Sequence, residues 1–183
     1  MNTTSSQLKA YKRATSLETC RWYMASLMTD LADKKDTNGA FCLVEATLAP
    51  GNEPPPHEHS REDELFYVLE GAFDVYVGKE AFRVNKGECV FLPRLKPHAF
   101  AIRSPQIRLL TLFSPAGLED AFRSASSPAQ NLELPTGART YAKSDPKHIL
   151  QRFSEYGVRF LTQDEVANEL PFYPKPLAAN SSV

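Results

Sequence analysis

Residues Gly51–Gly71, reading GNEPPPHEHSREDELFYVLEG, constrain this chain more than any other stretch. Two of the chain's 4 histidines lie here one residue apart, framed by a glycine at each end. Side chains alternate along an extended segment, so His57 and His59 point to the same face. Two imidazoles on one face can reach one ion at about 2.0–2.1 Å. Glu64 follows far enough on for the chain to turn and bring a carboxylate back. His98 sits 39 residues after His59 in a segment of similar character. The most economical reading is a metal site of three imidazoles and one carboxylate: His57, His59, Glu64 and His98. Neutral imidazole with carboxylate is a borderline-to-hard donor set, suited to one divalent ion of Fe, Mn, Co, Ni, Cu or Zn. An octahedral ion would keep positions free for water, dioxygen or a chelating substrate, the mark of a catalytic site. Glu62 is the rival carboxylate, two residues before Glu64 and on the same face by parity. Spacing and the start of the following strand favour Glu64, and Arg61, Glu62 and Asp63 otherwise read as a solvated loop.

Parity also names neighbours. If Glu64 faces the ion, Phe66 and Val68 face inward with it, and Phe100 and Ile102 share the face of His98. These four are the expected lining of an apolar substrate pocket. Leu65, Tyr67 and Leu69 then form an outer apolar row. That row must be covered by the N-terminal arm, the C-terminal segment or a second copy of the chain. Pro54–Pro56 hold the approach to His57 extended.

At these residues the chain resembles the cupin superfamily. Its first motif is Gly, five residues, His-x-His, three or four residues, Glu, six residues, Gly. Gly51, His57, His59, Glu64 and Gly71 meet every spacing. Its second motif is Gly, five residues, Pro-x-Gly, two residues, His, three residues, Asn. Gly87, Pro93 and His98 match, with Leu95 in place of the inner glycine and Ile102 in place of the asparagine. The resemblance covers roughly residues 40–115. It implies an all-β, cupin-type jelly-roll barrel with short C-terminal helices and the metal inside the barrel. It also implies an enzyme, loosely similar to quercetin dioxygenases, that acts on a small phenolic or enolisable substrate with dioxygen. Glu64 would be the catalytic base as well as a ligand. A non-catalytic binding or sensing cupin is the alternative, and a decarboxylase or isomerase a third.

The rest of the chain sets bounds. At 183 residues one core is expected, divided as an arm (1–20), a barrel (21–116) and a helical extension packed on it (117–183). The net charge of −1 gives no reason to expect nucleic acid or an anionic membrane as partner. No apolar run is long enough to span a bilayer, and no secretory signal is visible, so the cytoplasm is expected. Cys20, Cys42 and Cys89 read as buried free thiols of a reducing compartment.

Seven to nine short strands are expected between Arg21 and Ser114, the first a single strand Arg21–Met28. Gly78-Lys79 reads as a two-residue hairpin turn. After Pro115, three short helices are expected: Leu118–Ser126, one opening at Asp145-Pro146, and one opened by a capping box at Thr162 and Glu165. His148 would be an ordinary polar residue of the second. Ser127–Gly137 reads as loop. The outer apolar row and the arm together suggest a homodimer.

Overall fold

The computed structural model describes residues 8–135, 146–175 and 177. Alternating apolar residues build ten strands before the first helix: β1 (Cys20–Tyr23), β2 (Ser26–Ala32), β3 (Cys42–Leu48), β4 (His57–His59), β5 (Asp63–Glu70), β6 (Ala72–Val77), β7 (Glu80–Asn85), β8 (Cys89–Leu92), β9 (His98–Ile102) and β10 (Ile107–Ser114). Then follow α1 (Glu119–Ser124), β11 (Ser126–Pro128), α2 (Pro146–Glu155), β12 (Val158–Phe160) and α3 (Gln163–Glu169). The strands form two antiparallel sheets. One is seven-stranded in the order β11-β1-β2-β3-β10-β5-β8; the other is five-stranded in the order β12-β4-β9-β6-β7. They face each other as an all-β jelly roll, with the core between them.

Inward residues of both sheets fill that core. Phe66, Phe73 and Phe100 form a closed ring of edge-on contacts, each pair of centroids 5.6 Å apart. Val68 and Ile102 lie beyond this ring, packed with Val75, Val84 and Leu109. A second cluster caps the other end of the space, where Ile149 and Phe153 of α2 and Val158 of β12 meet Phe113 and Leu118.

Several expectations need correction. Arg21–Met28 is not one strand but two, β1 and β2, joined at Met24-Ala25, with Met24 in the left-handed region at φ 53°. The apolar run passes straight through this turn, so hydrophobicity could not reveal it. Ser127 and Pro128 belong to β11, which pairs with β1, rather than to a loop. Cys89 stands exposed on β8. The Gly78-Lys79 hairpin forms, with Val77 opposite Glu80. So does the capping box, in which Thr162 accepts from the Glu165 amide and Glu165 accepts from the Thr162 amide. Asp145 and the side chain of His148 lie outside the described residues. No helix among the described residues is long and apolar enough to cross a membrane.

The arm and the tail both cover surface other than the outer row of β5. Arg13 reaches the Leu31 carbonyl and Asp36, and Tyr11 donates to the Leu31 carbonyl. The tail crosses the outer face of β6. There Asp74, fully buried, accepts from Arg83 at 2.5 Å, from Arg103 at 2.6 Å and from the Leu177 amide at 3.0 Å. Tyr76 donates to the Lys175 carbonyl and Arg83 to that of Leu177. Burial alone would raise the Asp74 carboxyl, but Arg83, the Leu177 amide and Arg103 outweigh it and hold it below its ordinary 3.8.

Asp74→Ala should cost about 3 kcal/mol in urea unfolding, because two arginines lose a common buried partner. The folded-state value is depressed, so the stabilisation is complete above the unfolded value and lost as pH falls through the folded one. The difference between wild type and variant should therefore hold down to about pH 4 and shrink below it.

Candidate metal centre

The site forms where one short strand of each kind of environment meets. β4 is only three residues long, and its register is fixed from both edges. On one side His57 opens β4 directly opposite His98, which opens β9. On the other side β12 pairs along it, Val158 against His59 and Phe160 against His57. Glu64 comes from the facing sheet, at the second residue of β5 and opposite Phe113 of β10. Two sheets thus aim four side chains into one gap. His57, His59, Glu64 and His98 are all buried, and their candidate donor atoms lie within 4.8 Å of one another.

The hydrogen bonds around the rings settle which nitrogens face the gap. His57 Nδ1 is 2.8 Å from the Pro55 carbonyl, and His98 Nδ1 is 3.0 Å from the Lys96 carbonyl. A carbonyl only accepts, so both Nδ1 atoms carry a proton and both rings turn Nε2 inward. Those two Nε2 atoms are 3.2 Å apart. Glu64 Oε2 lies 3.4 Å from His98 Nε2 and 3.5 Å from His59 Nε2. His59 Nε2 and Glu64 Oε2 are buried with no hydrogen-bond partner among the described residues. Adjacent lone pairs at such separations repel, and donors on a shared ion at about 2.1 Å would sit about 3 Å apart. The residues present therefore fit a divalent ion.

Electrostatics point the same way. Burial and the neighbouring His98 and His59 push His57 well below 6.5, which keeps it neutral as a ligand must be. Burial would raise Glu64, but His59 and His98 more than offset it and draw it down to about 2. His57 thus rests neutral beside the ionised Glu64.

The expected lining residues separate by depth. The cavity beside the cluster is bordered by His57, His59, Glu64, Phe66 and Phe100, but not by Val68 or Ile102. Parity put all four on the right face and could not tell the mouth of the barrel from its floor. Further walls come from residues the sequence reading did not name: Phe113, Phe122, Phe153 and Phe160, with Tyr23 and Met28. The signal of Phe122, Phe153 and Phe160 was non-local, because they reach the site through α1, α2 and β12. Asn52, Ser26 and Thr111 are the polar residues on the wall besides the cluster. The cavity volume is about 110 Å³.

Glu62 also departs from expectation. It is 3% exposed rather than solvated, with Oε2 3.8 Å from His59 Nδ1. Its neighbour Asp63 is committed to Arg94 by a two-pronged ion pair.

Residues 44–113 match the family described as Cupin domain. A Streptomyces coelicolor protein, itself uncharacterized, is 35% identical over 85 residues, which is 46% of this chain and 75% of that one. This chain belongs to the cupin superfamily. The match to the quercetin 2,3-dioxygenase of Bacillus subtilis is 25% identical over 105 residues, covering 57% of this cupin and 31% of the enzyme, so under a third of the enzyme's length is spanned. Among solved structures, KdgF from Halomonas sp. is 26% identical with a TM-score of 0.46, covering 51% of this chain and 81% of that one. The polyketide cyclase RemF from Streptomyces resistomycificus is 24% identical with a TM-score of 0.49, covering 77% and 99%.

The second cupin motif departs from its pattern at Leu95, and the backbone there shows why the departure matters. Leu95 holds φ at 61°, a conformation glycine adopts freely, while its amide donates to the His59 carbonyl at 2.8 Å. Its side chain is 63% exposed, so little packing compensates. Leu95→Gly should therefore stabilise the protein. The left-handed strain relieved is about 1–2 kcal/mol, and the extra entropy glycine loses on folding is about 0.5–1 kcal/mol. A net gain of up to about 1 kcal/mol should appear in urea unfolding.

Proposed function

We propose that this cupin is a metal-dependent dioxygenase acting on a small, uncharged phenolic or enolisable substrate. One observation carries the reading: the four-residue cluster opens onto a cavity walled by aromatic rings. His57, His59, Glu64 and His98 would hold one divalent transition-metal ion. Such an ion supplies Lewis acidity and, where the metal is redox-active, one-electron chemistry. The barrel of residues 21–116 would carry the site, and the extension of 117–183 would close its mouth. The distant quercetin 2,3-dioxygenase match supports the class of reaction.

The chain's own residues define the substrate. Among the described residues that line the cavity there is no lysine, arginine or aspartate. A carboxylate, phosphate or sugar would lose its hydration without replacement, which argues against the decarboxylase and isomerase alternatives. Flat apolar rings suit the walls, and Asn52 and Thr111 can take a hydroxyl. The volume of about 110 Å³ is well below the roughly 300–1,000 Å³ of drug-sized pockets. A single-ring catechol or enediol fits this space; a three-ring flavonol requires α2 to move. Glu64 is the carboxylate on the wall and the group placed to take the substrate's hydroxyl proton. It is a weak base while His59 and His98 hold it low. It becomes a stronger one as those contacts are given up, because burial then acts unopposed.

Of protein reconstituted separately with Fe(II), Mn(II), Co(II), Ni(II), Cu(II) or Zn(II), at least one redox-active form should take up oxygen with catechols or small enediols in an oxygen electrode. Glu64→Ala should lower kcat by at least about 100-fold. Absence of uptake with every metal, together with a ligand-induced rise in Tm, would instead support the binding-protein reading.

The outer row supports a homodimer as part of the same proposal. Tyr67 and Phe91 are 39% and 56% exposed on adjacent strands, beside Leu65 and Leu112. The described arm and tail residues hydrogen-bond elsewhere, and an exposed apolar row of this kind suits a second copy as its cover. Light scattering should give a dimer for wild type and a monomer for Phe91→Glu combined with Tyr67→Glu.

A further inference from the structure

We propose that Glu62 is a positioning residue that holds His59 in the tautomer needed for metal binding, an inference that rests on the metal reading above. The three rings are not treated alike. His57 and His98 each donate Nδ1–H to the carbonyl two residues before, at Pro55 and Lys96. His59 has no such partner: its Nδ1 is buried without a hydrogen bond among the described residues. The same holds for Glu62 Oε2, which lies 3.8 Å away. Both side chains are only 4% exposed, so neither can turn to water.

The other nearby carboxylates are committed. Glu58 accepts from Arg159 at 2.9 Å, Asp63 from Arg94 at 2.7 Å, and Glu64 faces the cavity. Glu62 is thus the acceptor available to His59 Nδ1. A small side-chain rotation closes the gap to the about 2.7–3.2 Å of a hydrogen bond. Once Nδ1 carries the shared proton, Nε2 keeps its lone pair for the cluster, and the carboxylate raises the donor strength of that nitrogen. Carboxylates in this position behind a ligating histidine typically contribute 10- to 100-fold to metal affinity. Two backbone carbonyls and one carboxylate would then fix all three rings. This assigns a role to a buried acid that the cavity chemistry does not use, since Glu62 does not border the cavity.

Co(II) is the probe. Competition with a chelator should show wild type binding one equivalent and Glu62→Ala binding about 10- to 100-fold more weakly. Glu62→Gln, which keeps an acceptor but not the charge, should lie between them. In the metal-free protein, nitrogen-15 NMR should find His59 as the Nδ1–H tautomer in wild type and as a mixture in Glu62→Ala. Equal affinity of wild type and Glu62→Ala, or an unchanged His59 tautomer, would overturn the role of Glu62 and leave the metal reading intact. A wild-type protein that takes up no Co(II) would overturn both.

Discussion

Four candidate donor atoms are held within 4.8 Å of one another in a buried gap, and much of the architecture exists to keep them there. Left alone, such atoms repel, so the scaffold must be stiffer than the repulsion. β4, which carries two of them, is too short to hold itself. It faces β9 at the single register His57 to His98. Reinforcement comes from elsewhere: the Leu95 amide donates to the His59 carbonyl, the Ser60 amide to that of Gly157, and the Leu161 amide to that of Pro56. Two of these three ties come from beyond residue 156. The C-terminal third is therefore part of the site's frame, and the Asp74 clamp that fastens the tail to β6 lies at the end of the same segment.

The same segment sets the chemistry of the cavity. α2 and β12 supply Ile149, Phe153, Val158 and Phe160 to its wall. Their rings and branches exclude water without offering a charge. In such surroundings the fields of the Glu64 carboxylate and of any bound cation would be poorly screened. Neutrality of His57 follows from the same burial. The polarity of the cavity and the neutrality of His57 thus share one cause, burial to which elements late in the chain contribute.

How far this was legible in the sequence depends on the range of each interaction. His-x-His parity and the spacing to Glu64 and His98 are local facts, and the structure brings those four side chains together. The Gly78 turn and the Thr162 capping box are local too. The hairpin at Met24 was hidden because no turn residue interrupts the apolar run. β11 and β12 were missed because three-residue strands carry no periodicity and exist only through partners about a hundred residues away. Glu62 sits in a run of charges, which ordinarily means solvent, yet the fold buries it against His59. Phe66 and Phe100 were separable from Val68 and Ile102 only by depth along the barrel, a coordinate that alternation does not contain.

The second-motif loop shows how a departure from a family pattern can preserve geometry. The pattern has a glycine where this chain has Leu95, and the leucine nonetheless adopts a left-handed backbone. It does so because its amide is tied to the strand that carries two of the clustered histidines, so relaxing to an ordinary conformation would cost the tie. The strain is tolerated because it falls on an exposed side chain with nothing to displace. What a glycine gives through freedom, this chain obtains through a hydrogen bond, and the position of His59 is the quantity both protect. Where a ligand strand is only three residues long, substitutions in the loops that grip it are better judged by the backbone bond they keep than by the residue they replace.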